Sequence, residues 1–594
     1  MKPHLSPRGD SVTTLIDFQR RLLERDMILA VNAEALMPRI GGYNARPYSK
    51  ELDLYEPPRS SEIKALWRWW MRVILSGIYG GRKNYIELDE KVSKILGSTR
   101  GQTSFSVIID LDPNTYQKAL EIVRERVKLY KRLLLQLLPE ALKEFVVKWD
   151  TLNFKNMADL CDIKLSVRIS IRLKLKHDRF YNQLKQAFER TFGISLRYRQ
   201  YKQEAEASIE GSGELLKFME KLNVISGIDK KGLEEAYDAL VRVAKIPRIR
   251  ILLQPRGDEG EENIFKKGLS EGNRRYLKRI VEDIAPLAAL TYIERVPFRV
   301  ILTANRRLTD SEYKFAVATF LLSLILGGIG SITGRGFGSI AIKDVHLNKK
   351  YENLIEDIAK KVREILECES KDELKNKLNN YINYVFNLAE EVYGISKNHK
   401  LHNELSKVPT LVIVSDRFRL EVVRCKYENI DLVKLLEIIG STTLKLEWKK
   451  EIGVNPKSAG GDLHIWILGL PRQARGDYRY YGYFVRIDNY DDPGRRVSAI
   501  RLKVFENIKG TRFVIIYGFL SRDWPIEKLV HKSEHYKKGK NVRELGLRSL
   551  SSSCYGQAES MRDEEFLRCV FNTAFDFVYS ITKKCCEGDG RVEL

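Results

Sequence analysis

Long apolar runs are missing from this chain of 594 residues. The most apolar stretch, Phe315 to Leu326, is shorter than the roughly 20 residues a bilayer-spanning helix needs, so it predicts a buried helix and no membrane association. The first residues, Met1-Lys2-Pro3-His4, run into charged residues with no apolar stretch behind them, which predicts no secretion signal and a cytoplasmic protein. Cysteine is sparse: seven residues, odd in number, scattered, and free of the C-x-x-C spacing used by zinc and redox sites, so reduced thiols are expected. No Gly-x-x-x-x-Gly-Lys-Ser/Thr occurs, which argues against an ATP-binding P-loop. Low-complexity tracts and short tandem repeats are absent too.

Positive charge, by contrast, is abundant. Lysine and arginine total 102 against 79 acidic residues, a formal net charge of +23. The excess lies over a mixed-charge surface and not in one basic tail, which is the electrostatic footprint of a polyanion ligand. A membrane surface is the competing polyanion, and no amphipathic terminal anchor supports it.

The most informative stretch runs from Pro57 to Arg72, with three tryptophans and several cations around one predicted helix start. Proline and serine precede an apolar stripe of Ile63, Leu66, Trp67, Trp70 and Ile74 at helical spacing. Lys64, Arg68 and Arg72 form a second stripe, and Trp69 lies off the apolar one. A lysine in the first helical turn opposes the helix dipole. A phosphate held there by free backbone N–H groups, Arg59 and Lys64 resolves that conflict. Trp67 and Trp70 are expected in the core, and Trp69 is expected to stack on a base or support the nucleic-acid path.

Residues 27–37 alternate as a strand, a loop rich in Gly, Pro and Arg covers 38–59, and a second strand is expected at Thr103–Asp110. From Pro113 to about Arg295 the pattern becomes helical, with Leu120, Val123, Val127, Tyr130, Leu134 and Leu137 at alternating three- and four-residue steps and strands attached at 164–174 and 246–254. A strand at Pro297–Asn305, a helix at about Asp310–Leu326 and a strand at Ser339–Val345 complete a β–α–β, β–α–β order, which is the ferredoxin-like one. Helices around 350–396, strands near 410–425, 463–469, 483–488, 497–506 and 512–519, and a closing helix at 563–581 predict a second α+β domain.

The glycine-rich loop Gly327 to Ser339 follows a helix and precedes a strand, the reverse of a dinucleotide cradle. Its glycines offer backbone that a sugar-phosphate chain can approach, with Arg335 projecting between Gly334 and Gly336, and Gly338 beyond. His531-x-x-Glu534-His535 matches an inverted zincin pattern on a helix, but no third ligand is indicated. Gly460-Gly461-Asp462 has one aspartate where two-metal chemistry needs paired carboxylates, and His399-x-x-His402 is weaker still. No metal and no cofactor is therefore expected. Arg495 and Arg496 open a strand after Asp492-Pro493-Gly494, an arrangement that also suits a solvated turn.

Taken together, the Arg59-Ser60-Ser61-x-x-Lys64 start with Arg68-Trp69-Trp70-x-Arg72, the Gly41-Gly42 loop, the Leu96-Gly97-Ser98 turn, the Gly334-Arg335-Gly336-Phe337-Gly338-Ser339 loop, and Leu468-Gly469-Leu470-Pro471-Arg472 with Arg495-Arg496 resemble the RAMP superfamily of CRISPR proteins. Within it the chain is similar to subunit one of the type III-B (Cmr) effector complex. That resemblance implies an α+β protein of two ferredoxin-like (RRM-like) RAMP domains, at 1–349 and 350–594, with a large helical insertion at about 113–295 in the first. It implies a non-catalytic subunit near the 3′ part of a guide, with crRNA, target RNA and other Cmr complex subunits as partners. Carried over by position, Arg59, Lys64, Arg68 and Arg72 would grip phosphates, Gly334 to Gly338 would border the RNA path, and Arg495 and Arg496 would extend it. The alternative is a RAMP-type endoribonuclease processing CRISPR transcripts. Metal-free cleavage wants a histidine near neutrality, and between the first strand and the tryptophan helix there is none; Asp53 in that loop is the candidate for a metal-dependent cut, a position that equally suits a solvated loop residue.

Overall fold

The computed structural model describes residues 27–38, 58–98, 103–110, 177–199, 295–305, 308–330, 333–395, 404–411, 417–425, 432–443, 464–470, 496–533 and 562–587, with shorter pieces at 146–150, 168–175, 204–210, 448–449, 451, 472–473, 482–487, 490–492 and 536–545. The chain opens with β1 (Met27–Leu36), α1 (Ser60–Ile78), α2 (Tyr85–Leu96) and β2 (Phe105–Asp110). Next come β3 (Val146–Asp150), β4 (Arg168–Leu175), α3 (Tyr181–Phe192), β5 (Leu196–Arg199) and β6 (Glu204–Glu210). Then β7 (Arg295–Ala304), α4 (Asp310–Leu326) and β8 (Ser339–Leu347) close the first sheet, whose antiparallel order is β2-β7-β1-β8. The strands expected around the insertion, and the helix between the last two, are where the sequence put them.

α4 is buried along nearly its whole length, Tyr313 and Phe315 to Leu326 included. It has no polar face because it lies between the first sheet and two further helices, α5 (Lys349–Leu366) and α6 (Lys371–Tyr393), which share its core. That core therefore runs past residue 349. A buried helix, and no membrane span, is what the apolar run makes; among the described residues no helix is long and apolar enough to cross a membrane.

The remainder comprises β9 (Phe418–Arg424), α7 (Leu432–Thr442), β10 (Arg472–Gln473), β11 (Gly482–Ile487), β12 (Tyr490–Asp492), β13 (Ile500–Glu506), β14 (Arg512–Phe519), β15 (Leu529–Ser533), β16 (Tyr536–Asn541) and α8 (Asp563–Glu587). Strands β13-β14-β9 form an antiparallel sheet, and β10-β11-β15-β16 a second one with β12 on β11. β14, Arg-Phe-Val-Ile-Ile-Tyr-Gly-Phe, shows no polar alternation because both faces are covered. Phe513, Ile515, Tyr517 and Phe519 join the core of the first sheet. Val514 and Ile516 join a separate core with α7 and α8.

Three expectations are corrected. Residues Ile465–Leu468 form a 3-10 turn, not a strand. His464 adopts a left-handed conformation (φ 51°), Gly469 follows at φ 105°, and the Trp466 indole turns back to donate to His464 Nδ1 at 3.1 Å; a short apolar run carries no period that distinguishes these outcomes. The segment 113–295, expected to be mostly helical with strands attached, is mostly strand in its described residues, and β4 falls at the strand expected at 164–174. Its described residues form a four-stranded antiparallel sheet, β3-β4-β6-β5, and one helix, α3, whose Leu184, Phe188 and Phe192 make a buried stripe. Cys425 and Cys586 are paired as a disulfide, where reduced thiols were expected; their sequence separation of 161 hides the pairing. The Leu120–Leu137 repeat, the 246–254 strand, Gly41-Gly42, Asp53, His399, His402, Gly460 to Asp462, Arg495, Glu534 and His535 lie outside the described residues.

Two polar features join the halves. Lys503 of β13 is wholly buried and donates to the Leu324 and Gly327 carbonyls at 2.7 and 2.8 Å, while Tyr517 donates to the Leu326 carbonyl at 2.6 Å. Together they pair the Leu324 and Leu326 carbonyls in the last turn of α4, which a helix cannot pair within itself, and the Gly327 carbonyl just beyond it. Burial pushes the Lys503 ammonium well below its ordinary range. Three residues on, Glu506 is 3% exposed and receives Arg295 (2.7 Å), Lys343 (2.8 Å) and Arg512 (2.8 Å). Burial would raise its pKa, but these three hydrogen-bonded cations prevail and hold it down at about 2.

Candidate functional site

α1 begins at Ser60, with Arg59 as its N-cap, and buries Ile63, Trp67, Trp70, Met71 and Ile74 completely. Trp67 packs on Phe105 of β2 and Phe320 of α4, at 5.3 and 5.1 Å between ring centroids. Trp70 reaches the other half and meets Tyr517 and Phe519 at 5.8 and 5.9 Å. The core assignment of both follows from the 3.6-residue period. Trp69 is half-buried. Its ring meets Phe519 edge-on at 5.5 Å, and the Arg501 guanidinium lies over it at 4.3 Å. A cation–π partner thus already occupies a ring face that a base would need.

The cations of α1 are all partly buried, and they differ in how many partners hold them. Arg68 donates from Nη1 to Asp89 Oδ1 (3.2 Å) and Ser93 Oγ (3.1 Å), and from Nη2 to the Leu96 carbonyl (3.4 Å) and the Gly97 carbonyl. It closes the C-terminal end of α2, where a cation also suits the helix dipole. Arg72 reaches Asp89 only at 3.5 Å and faces the Tyr85 ring at 5.9 Å. Lys64 donates to the Phe105 carbonyl at 3.4 Å, and burial, then Arg68, lowers its pKa. Arg59 leans on Glu62, whose carboxylate also accepts from the Arg59 backbone N–H, both at 3.4 Å. Glu62 is therefore an anion already present at the helix start, which eases the dipole conflict raised by Lys64.

The glycine loop lies against β13. The Leu502 N–H donates to the Gly334 carbonyl at 3.0 Å, and Arg335 bridges Leu502. Gly336 (φ 82°) and Gly338 (φ 62°) are in left-handed conformations that favour glycine. A Cβ on Gly338 would lie 1.9 Å from the Ile329 carbonyl oxygen, and one on Gly336 would lie 2.9 Å from Ile439 and Leu436. Packing inside the protein thus requires these two glycines. At Gly334 a Cβ would meet only Arg501, at 3.9 Å. Gly338→Ala is accordingly expected to destabilise by at least about 1–2 kcal/mol, and Gly334→Ala by less than about 0.5 kcal/mol. Thermal melts of the two variants check this, and equal losses would contradict it.

Arg496 donates to Ser521 Oγ (3.1 Å) and Asp523 Oδ1 (2.6 Å) and lies over the Trp524 ring at 4.7 Å. Arg501, two residues inside β13, was not singled out by the sequence, because it reads as one position in an ordinary strand. Tyr85 was missed as well. Its phenol pKa is raised by burial and by Asp523, and is drawn back by Arg496, Arg72 and Arg501. Arg72, Trp69, Tyr85, Arg496, Arg501 and the Gly334 turn are thus brought together at one junction between the two halves. His531 does not join them: it lies on strand β15 and not on a helix, with its ring 4.7 Å from Tyr483. Among the described residues no group of three or more His, Cys, Asp or Glu side chains is placed to hold a metal ion.

Residues 57–341 match the family model for the RAMP superfamily. The chain is 21% identical over 330 residues to the CRISPR system CMR subunit Cmr1 of Saccharolobus solfataricus, a match covering 53% of this chain and 54% of that protein. It thus spans about half the length of that curated relative. Among solved structures, it is similar to a chain of the type III-B Cmr-beta complex bound to cognate target RNA and AMPPnP, at 16% identity and a TM-score of 0.45 over 93% of this chain and 100% of that one. The apo crystal structure of Cmr1 from Pyrococcus furiosus is similar at 13% identity and a TM-score of 0.32, over 83% and 88% of the two chains.

Proposed function

We propose that this chain, whose residues 57–341 match the RAMP superfamily model, is a non-catalytic RNA-binding subunit of a crRNA-guided type III-B CRISPR effector complex. It acts in the cytoplasm, with guide and target RNA and other Cmr subunits as partners. The observation that carries this reading is the junction itself. The tryptophan helix, the glycine turn and the entrance to β13 meet around Arg72 and Arg501 although the sequence separates them widely. In a chain of net charge +23, a cationic seam lined by backbone and aromatic rings suits a single-stranded polyanion. The β-α-β-β-α-β order around β2-β7-β1-β8 supports a ferredoxin-like first domain. A second such domain, about the β13-β14-β9 sheet, and the division at 349/350 belong to the same proposal.

Lys64 and Arg72, with Arg501 added, are the phosphate-facing cations in this reading. Arg68 and Arg496 position neighbouring elements, and Arg495 extends the path. The experiment is RNA binding by the full chain over a salt series. Each alanine at Lys64, Arg72 or Arg501 should flatten the slope of log affinity against log salt by roughly 0.7, and wild-type slopes in the triple variant would refute the assignment. The same samples, with magnesium or manganese present at neutral pH, should retain intact RNA. Cleavage would favour the endoribonuclease, the second reading.

A further inference from the structure

Among the described residues four large apolar side chains stand exposed: Tyr85 (41%), Ile86 (73%), Val497 (57%) and Ile508 (45%). Single exposed apolar residues are ordinary. Here, however, two of the four are consecutive residues at the junction, and a third is the chain neighbour of Arg496. Tyr85 and Ile86 open α2, and Val497 follows Arg496, whose Nη1 donates to the Val497 carbonyl at 3.4 Å. The Arg72 guanidinium lies 5.9 Å from the centre of the Tyr85 ring, and Arg496 and Arg501 act on its phenol electrostatically. The backbone beneath it is well held, because Asn84 Oδ1 accepts from the Ile86 and Glu87 N–H groups at 2.9 and 3.0 Å. Glu87 in turn accepts from the Asn84 N–H at 2.9 Å and from Lys83 at 2.6 Å. The acids close by are Asp89 and Asp523, and both are paired with arginine, Asp89 with Arg68 and Arg72, and Asp523 with Arg496.

An aromatic ring on a rigid helix start, flanked by apolar surface and by guanidinium groups, has the parts of a nucleobase platform: a flat face for the base and cations for the adjoining phosphates. Trp69, the aromatic residue the sequence favours for that task, has a face under Arg501 at 4.3 Å, whereas Arg72 stands farther from the Tyr85 ring, at 5.9 Å. We propose that Tyr85 is the base-stacking residue of a single-stranded RNA subsite, flanked by Ile86 and Val497, with Arg72 and Arg501 facing the neighbouring phosphates. This assignment rests on the RNA-binding reading above and adds to it the residue that takes a base.

Two probes test it: fluorescent oligoadenylate, and the same ribose-phosphate chain without bases. They are titrated against the full chain as wild type, Tyr85→Phe and Tyr85→Ala. Tyr85→Ala should weaken oligoadenylate binding about tenfold, with its salt slope unchanged because no phosphate contact is lost. Tyr85→Phe should stay close to wild type, and the abasic probe should bind all three proteins alike. Wild-type affinity for oligoadenylate in Tyr85→Ala, or an equal loss on both probes, would overturn the stacking role. Failure of the wild-type chain to bind either probe would instead overturn the RNA reading itself, before any variant is compared.

Discussion

Replacing Glu506 by alanine is expected to cost about 3–5 kcal/mol of stability, since Arg512 loses its carboxylate partner and Arg295 and Lys343 are left to share Glu34. The same carboxylate predicts how stability follows pH. Its pKa falls from an ordinary 4.5 to about 2 in the folded protein, so the unfolded chain binds the proton more readily and stability rises with pH through that window. The contribution, about 3 kcal/mol, is fully present above the ordinary value and is lost as pH falls through 4.5 towards 2. Denaturant unfolding followed by tryptophan fluorescence, at several pH values, checks both parts. Glu506→Gln should show a flatter acid limb than the wild type, and an unchanged limb would show that the carboxylate is not held by these cations.

Trp70→Ala is expected to cost a further about 3–5 kcal/mol as an independent variant. The indole is fully buried and touches Tyr517 and Phe519 across the junction, so its loss opens a cavity between both halves. Trp69→Ala should cost less, because its ring is half-buried and loses chiefly the Arg501 contact and the edge-on contacts with Trp70 and Phe519, about 0.5–1.5 kcal/mol for each kind. Thermal midpoints rank the two, and the reverse order would mean that α1 is rotated from the orientation described.

How far this arrangement is legible in sequence depends on the range of the interaction. The 3.6-residue period of α1 separates Trp67 and Trp70 from Trp69, and the apolar run of α4 marks a helix buried all round, because each signal is contained within a few turns. The contacts that define the junction are different in kind. Arg501 over Trp69, Tyr85 beside Arg496 and Lys503 on the Gly327 carbonyl join residues that no local pattern relates. Arg68 shows the cost of reading cations by type: its place on the helix suits a phosphate, yet its terminal nitrogens are engaged by Asp89, Ser93 and the end of α2. Ile465–Leu468 failed for another reason, since a run that short fits a strand or a helical turn equally well.

The sheet β13-β14-β9 lies between two cores, and this has an evolutionary consequence. Along β14, alternate side chains answer to different neighbours: Ile515 and Tyr517 to the first half, Val514 and Ile516 to α7 and α8. Each half therefore imposes its own selection on every second residue of one strand. Neither half can be exchanged for a foreign module, or drift at its own pace, without the strand having to satisfy a new partner on one side while keeping faith with the old one on the other.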